Sequence, residues 1–193
     1  MTQHLIHDED ISRDRVPPSA ALLRDFVNTV DHEVGTDELA TTEGLTSFLM
    51  RHQLLTDVPD ARERERQESL RLRSGLHDAL VLNHAAEHAP LPLLDEALGA
   101  LPVRLQWVGD GVVATPADGG VAGALALIGL AAQEARTSGF WWRLKICAFD
   151  ECEWAYYDQS KNRSRHYCEY GCGNKLKTRA YRARRRAAER TND

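Results

Sequence analysis

All four cysteines of this 193-residue chain lie between positions 147 and 172, in two pairs: Cys147-x4-Cys152 and Cys168-x3-Cys172. Fifteen residues separate the pairs. Two thiols this close in sequence can wrap one side of an ion, so two such pairs can close a tetrahedron around a single Zn²⁺. Disulfides would need an oxidising compartment, yet the acidic, polar N-terminus carries no apolar signal core. Iron–sulfur ligation uses the same donors and stays open as the other metal option. Four cysteines leave no free coordination position, so a zinc held here is structural and not catalytic.

Between the pairs, Trp154-Ala155-Tyr156-Tyr157-Asp158 reads as a strand. The polar run 159–164 is a turn, and the chain returns towards Tyr167 as the second arm of a hairpin. After Cys172 come Gly173-Asn174-Lys175 and a basic run to Arg190 that reads as a helix. A knuckle, a hairpin and a helix that begins at the second pair describe a treble-clef-like finger. These residues resemble the CGNR zinc finger, through Cys147-x4-Cys152, Tyr156-x-Asp158-x-Ser160-x-Asn162, Arg165-x-x-Cys168 and Cys172-Gly173-Asn174-Lys175. Lys175 stands where the name-giving motif has arginine, keeping the charge but not a bidentate guanidinium.

Charge divides the chain at about the same place. Residues 143–193 hold 13 Lys and Arg against 7 Asp and Glu, net +6; residues 1–142 hold 11 against 22, net −11. An acidic body with a basic end engages a polyanion at one place only. With 42% hydrophobic and 27% charged residues the composition is that of a soluble globular protein. No apolar run approaches the length of a membrane span, and a cytoplasmic location is the default expectation.

In the body, Pro17-Pro18-Ser19 opens a helix with Ser19 as N-cap, and Leu22, Leu23, Phe26, Val27 and Val30 form its buried face. Asp25-Phe26-Val27-Asn28-Thr29, followed by Asp37-x-Leu39-x-Thr41, resembles the opening of the ABATE domain, a stress-responsive regulatory module that precedes CGNR fingers. Asn28 and Thr29 are candidate ligand contacts, or else satisfy backbone groups at a helix end. A second helix opens at Thr41. A turn spans 57–60. A long helix over 61–88 turns Leu72, Leu76, Ala79, Leu80 and Asn83 inward, with His77, Val81, His84 and His88 on its flank. The flank lacks an H-E-x-x-H arrangement and reads as a polar face. A short helix over 93–101, a hairpin over 103–115 turning at Gly109-Asp110-Gly111, and an alanine-rich helix over 119–136 complete the body. Phe140-Trp141-Trp142 either seats the finger or enters its first strand. At least one of the two tryptophans is expected to be buried where body and finger meet.

The expected fold is therefore α+β: a mostly helical body, residues 1–142, and a Cys₄ finger, residues 143–193. No nucleophile–base pairing, P-loop or dinucleotide fingerprint is present, so the chain reads as a binding protein and not an enzyme. Lys175, Lys177, Arg179, Arg182, Arg184, Arg185 and Arg186 cover most of the last helix. Leu176, Ala180, Ala183 and Ala187 leave an apolar stripe to pack on the finger. With Arg163 and Arg165 from the loop, those cations suit DNA phosphates. The body would then sense a small molecule or protein effector. An adaptor whose basic helix docks on an acidic protein is the other reading.

Overall fold

The computed structural model describes residues 16–56 and 61–191, and side chains of the last helix as far as residue 186. The expected N-terminal leader and the turn at 57–60 lie outside the described residues.

Helix α1 (Pro18–Val27) starts two residues earlier than the capping pattern implied, with Pro17 and not Ser19 at the N-cap. Pro18 fills the first turn, where its missing N–H costs nothing, and Ser19 is buried inside the helix. Strands β1 (Val30–Asp31) and β2 (Thr36–Asp37) form a small antiparallel pair. The Asp37 carboxylate then accepts from Leu39 N–H to cap a 3₁₀ turn, and the Thr41 hydroxyl accepts from Gly44 N–H to cap α2 (Thr42–Arg51). Helix α3 (Glu63–Ala85) is opened by Glu65, whose carboxylate accepts from Arg62 N–H, and closed by Ala86 in the left-handed region. It buries Leu72, Leu76, Ala79, Leu80 and Asn83, the inward stripe read from the sequence. Helix α4 (Pro92–Gly99) lies across α3 at Gly75. A Cβ on Gly75 would come within 2.7 Å of the Leu94 backbone, so only glycine admits this crossing.

Strands β3 (Val103–Val108) and β4 (Gly111–Pro116) pair in register from Val103↔Pro116 to Val108↔Gly111. Gly109 takes φ +61 in the two-residue turn, as the hairpin's twist demands. Helix α5 (Gly120–Thr137) packs between α1 and the base of β4. A 3₁₀ turn over Trp141–Arg143 leads into β5 (Leu144–Ile146), which pairs antiparallel with β6 (Ala155–Tyr157). Helix α6 (Cys172–Thr191) ends the described chain.

The finger is not tethered to the body but grows out of it. Leu144, Ile146 and Ala155 belong to the same buried apolar cluster as Phe26, Phe48, Leu76 and Ile128. Trp141 is 4% exposed within that cluster, and Trp142 packs against it. Asn83, buried on α3, donates to the carbonyls of Trp141 (3.0 Å) and Leu144 (3.1 Å), fixing the strand's entry.

The arrangement differs from expectation in the finger's hairpin. Strand β6 pairs with β5, across the first cysteine pair, and not with the return towards Tyr167. The return cannot offer a ladder because side chains take its backbone groups. Lys145 donates to the Arg163 carbonyl, Tyr156 Oη to the Arg165 carbonyl, and Arg165 N–H to the Asp158 carboxylate.

Candidate metal centre and basic helix

Cys147 ends the β5 side of a tight knuckle, its N–H bonded to the Trp154 carbonyl at 2.9 Å; Cys152 N–H bonds to the Phe149 carbonyl at 2.8 Å. Cys168 is aimed by its own N–H, 3.5 Å from Cys147 Sγ. Cys172 is the first residue of α6. All four are buried, and their Sγ atoms lie within 4.8 Å of one another. The separations Cys152–Cys168 (3.7 Å) and Cys168–Cys172 (3.5 Å) are far too long for a disulfide. They fit the edge of a tetrahedron about 3.8 Å long that Zn–S bonds of about 2.3 Å imply. Without a cation, burial pushes the Cys152 thiol up to about 12 and Cys168 higher still. Buried thiols such as these two become thiolates only when an ion compensates them. The centre holds one structural zinc.

Around it the finger has little apolar substance: Phe149 and Tyr156 are buried with the cysteines, and Trp154, Tyr167 and Leu176 only partly. A polar knot does the remaining work. The Asp158 side chain is fully buried and accepts from Lys145 Nζ (2.8 Å), Ser160 Oγ (2.6 Å), Ser160 N–H (2.9 Å) and Arg165 N–H (3.0 Å). Burial works to raise the Asp158 pKa, but these bonds outweigh it and hold the carboxyl below its usual range. Arg143 closes the loop from outside, donating to the carbonyls of Asp158 and Ser160, both at 2.9 Å.

Asn28 and Thr29 sit at this junction, with their polar atoms turned to protein groups. The Asn28 amide donates to the Ala155 carbonyl at 2.9 Å and accepts from Ala155 N–H at 2.7 Å, acting as one more residue of strand pairing for β6. Thr29 Oγ1 donates to the Phe26 carbonyl and accepts from Arg73. Arg73 in turn holds Asp37 through two bonds of 2.6 and 2.7 Å. That hydrogen bonding is the main reason the Asp37 carboxyl lies below its usual value. On the histidine flank, His84 Nε2 lies 3.4 Å from His166 Nδ1, and His88 meets Trp142 edge-on. Of this flank, His84 alone is seen to meet the finger, while Val81 is exposed to solvent.

The expected basic residues divide into two sets. Arg165 folds back: its Nε donates to the Tyr167 carbonyl at 2.7 Å and its guanidinium covers the Tyr156 ring. Lys175 bonds Glu33 on the β1–β2 turn at 2.7 and 3.0 Å, and Arg179 bonds Glu151 on the knuckle at 2.9 Å twice. Both cations also lie over the Phe149 ring. By contrast Lys177, Arg182, Arg184 and Arg186 are exposed and have no anionic partner among the described residues. Arg163 and Arg185 are exposed too. The apolar stripe expected along α6 is a correction. Only Leu176 packs on the finger, while Ala180 and Ala183 are exposed and the side chain of Ala187 lies outside the described residues. The finger is too small to meet the helix beyond its first turns.

Sequence reasoning missed Lys145, Arg73, Glu33 and Glu151. Arg73 did carry a signal, being a lone cation at helical spacing between the buried positions Leu72 and Leu76. Lys145 carried none, since one lysine in a strand is more often on a solvated face.

Residues 143–185 match the model of the CGNR zinc finger. Residues 20–139, well over half the chain, match the ABATE model, described as "Putative stress-induced transcription regulator". The chain belongs to the ABATE family. Its finger follows the domain directly, in the order the motifs implied. A comparison with curated proteins finds no match. Among the described residues no helix is long and apolar enough to cross a membrane.

Proposed function

We propose that this ABATE protein is a DNA-binding transcription regulator in which α6 holds the duplex and the body carries the sensing element. What supports this is the exposed surface of α6, where Lys177, Arg182, Arg184 and Arg186 project from a zinc-braced base with no anion to neutralise them among the described residues. Each phosphate contact releases condensed counterions, so affinity should fall steeply with salt. Lys175 and Arg179 would join only by exchanging Glu33 and Glu151 for phosphate.

The body's part rests on a cavity of about 380 Å³ lined by Leu82, Leu94, Leu98, Ala132, Arg136 and Trp142 among others. Its wall includes the Trp141–Arg143 turn that leads into β5. The Arg136 guanidinium, stacked on the Trp142 ring at 5.2 Å, offers it a cation. An effector seated there would press on the segment that enters the finger. By linkage it would alter DNA affinity as much as DNA alters its own binding.

The deciding experiment is binding of mixed-sequence duplex to the zinc-loaded chain across a salt series. Arg182→Gln with Arg186→Gln should weaken binding to all sequences alike and flatten the log–log salt slope by about 2, close to 0.9 per lost contact. A chain that shows no salt-dependent binding at low ionic strength would remove DNA as the partner and leave α6 to an acidic protein surface.

A further inference from the structure

Strands β3 and β4 place Val103, Leu105 and Trp107 on one face, opposite Pro116, Ala114 and Val112. That face is wholly apolar. The other carries Arg104, Gln106 and Thr115 with Val108 and Val113. Alternation of this kind ordinarily turns an apolar face onto a core. Here it faces solvent: Leu105 is 72% exposed, Trp107 73% and Val112 57%. Every residue of β3 is exposed, and the ribbon is anchored at its base, where Pro116 meets Gly123 of α5. A two-stranded ribbon with nothing laid on it is marginal in water.

We propose that this face is the contact through which two copies of the chain associate. The strip holds no charged side chain, so two copies meet there without the repulsion that their net-acidic bodies would impose elsewhere. A two-fold axis lays the same six residues on themselves, the self-complementary contact of a cyclic dimer. The strip exposes on the order of 500 Å² of side chain per chain, so a pair removes roughly 1,000 Å², the lower limit for a specific interface. A dimer of micromolar affinity is the outcome, built without touching the zinc or α6.

The test is sedimentation of the full, zinc-loaded chain from about 1 to 100 µM without DNA, a range that brackets a micromolar dissociation constant. The expected mass rises from one chain to two. Leu105→Lys combined with Trp107→Lys, both at exposed positions, should hold the mass at one chain with helical circular dichroism and zinc content unchanged. Val113→Lys, on the opposite face, should still dimerise. A wild-type chain that stays monomeric throughout overturns the proposal, as does a V113K variant that dissociates as fully as the double variant. A photo-cross-linking residue in place of Trp107, in a mixture of light and heavy isotope-labelled chains, covers the case in which the double variant misfolds. Links between light and heavy chains within residues 103–116 support the contact; links within one chain only exclude it.

Discussion

The body and the finger hold their backbones by opposite means, although they share a wall. In the body, five helices bring together an apolar cluster in which Phe26, Phe48, Leu76 and Ile128 are fully or almost fully buried, and polar pairs such as Arg73–Asp37 sit at its margin. In the finger, the apolar cluster of its own has six buried members, and four of them are thiols. There the polar groups are central: Asp158 is more completely buried than any cysteine. A segment this small cannot offset its chain entropy with apolar area. A metal and a saturated carboxylate supply what the missing core would have supplied, and each does so all or nothing.

The sharpest way to break the comparison is to take away the metal. Chelation, or Cys168→Ala, removes a term on the order of 10 kcal/mol from the finger and none from the helices of the body. Helical circular dichroism should fall only by the share of α6, and limited proteolysis should read the outcome. Because Leu144, Ile146 and Ala155 lie in the body's core, first cleavage is expected beyond residue 157 and not at the 142/143 boundary. Cleavage at 142/143 would mean that the shared wall contributes nothing.

Next in size is Lys145→Met, which leaves the Asp158 carboxylate buried without its cation. Removing one partner of a buried pair costs about 3–5 kcal/mol, so the finger's melting transition should separate from that of the body. Adding Asp158→Asn to the same chain should recover part of the loss. Asn28→Ala follows, since it strands the N–H and carbonyl of Ala155 at a cost of roughly 1–3 kcal/mol. Asn28→Asp, which keeps the acceptor but loses the donor, should fall between.

Acid should act on the body through Asp37. Its folded pKa lies below the ordinary value of 3.8, so its contribution is complete above that value and drains away as pH falls through the lowered one. Arg73→Met should flatten this acid limb of the melting curve. The smallest effect is expected from Glu33→Gln. Its pair with Lys175 is on the surface, and melting should be unchanged. If Glu33 restrains Lys175 from a polyanion, the substitution instead strengthens salt-dependent DNA binding.

Much of this was open to reading. The helical stripe Leu72, Leu76, Ala79, Leu80, Asn83 is local periodicity, and so are the β3–β4 alternation and the spacing of the cysteines, which is why each was found in the chain alone. The finger's pairing was not. Trp154 to Asp158 announces a strand, but its partner β5 lies on the far side of a cysteine knuckle, and nothing in Leu144-Lys145-Ile146 marks it as the mate. The Asn28–Ala155 contact was equally hidden, because an asparagine at a helix end most often serves its own backbone. Alternation in β3 told that one face is apolar but not which way it points. Periodicity records a face, while orientation belongs to the packing around it.

The Asn28–Ala155 contact also bears on how the chain is made. Helix α1 leaves the ribosome early, yet the strand it braces and α5, the helix it packs on, are synthesised more than ninety residues later. The part of its apolar face that meets α5 and β6, beyond what α2 and α3 cover, must therefore wait for several seconds at translation speeds of about 5–20 residues per second. The last places in the body's core, those of Leu144, Ile146 and Ala155, are filled only when the last quarter of the chain arrives.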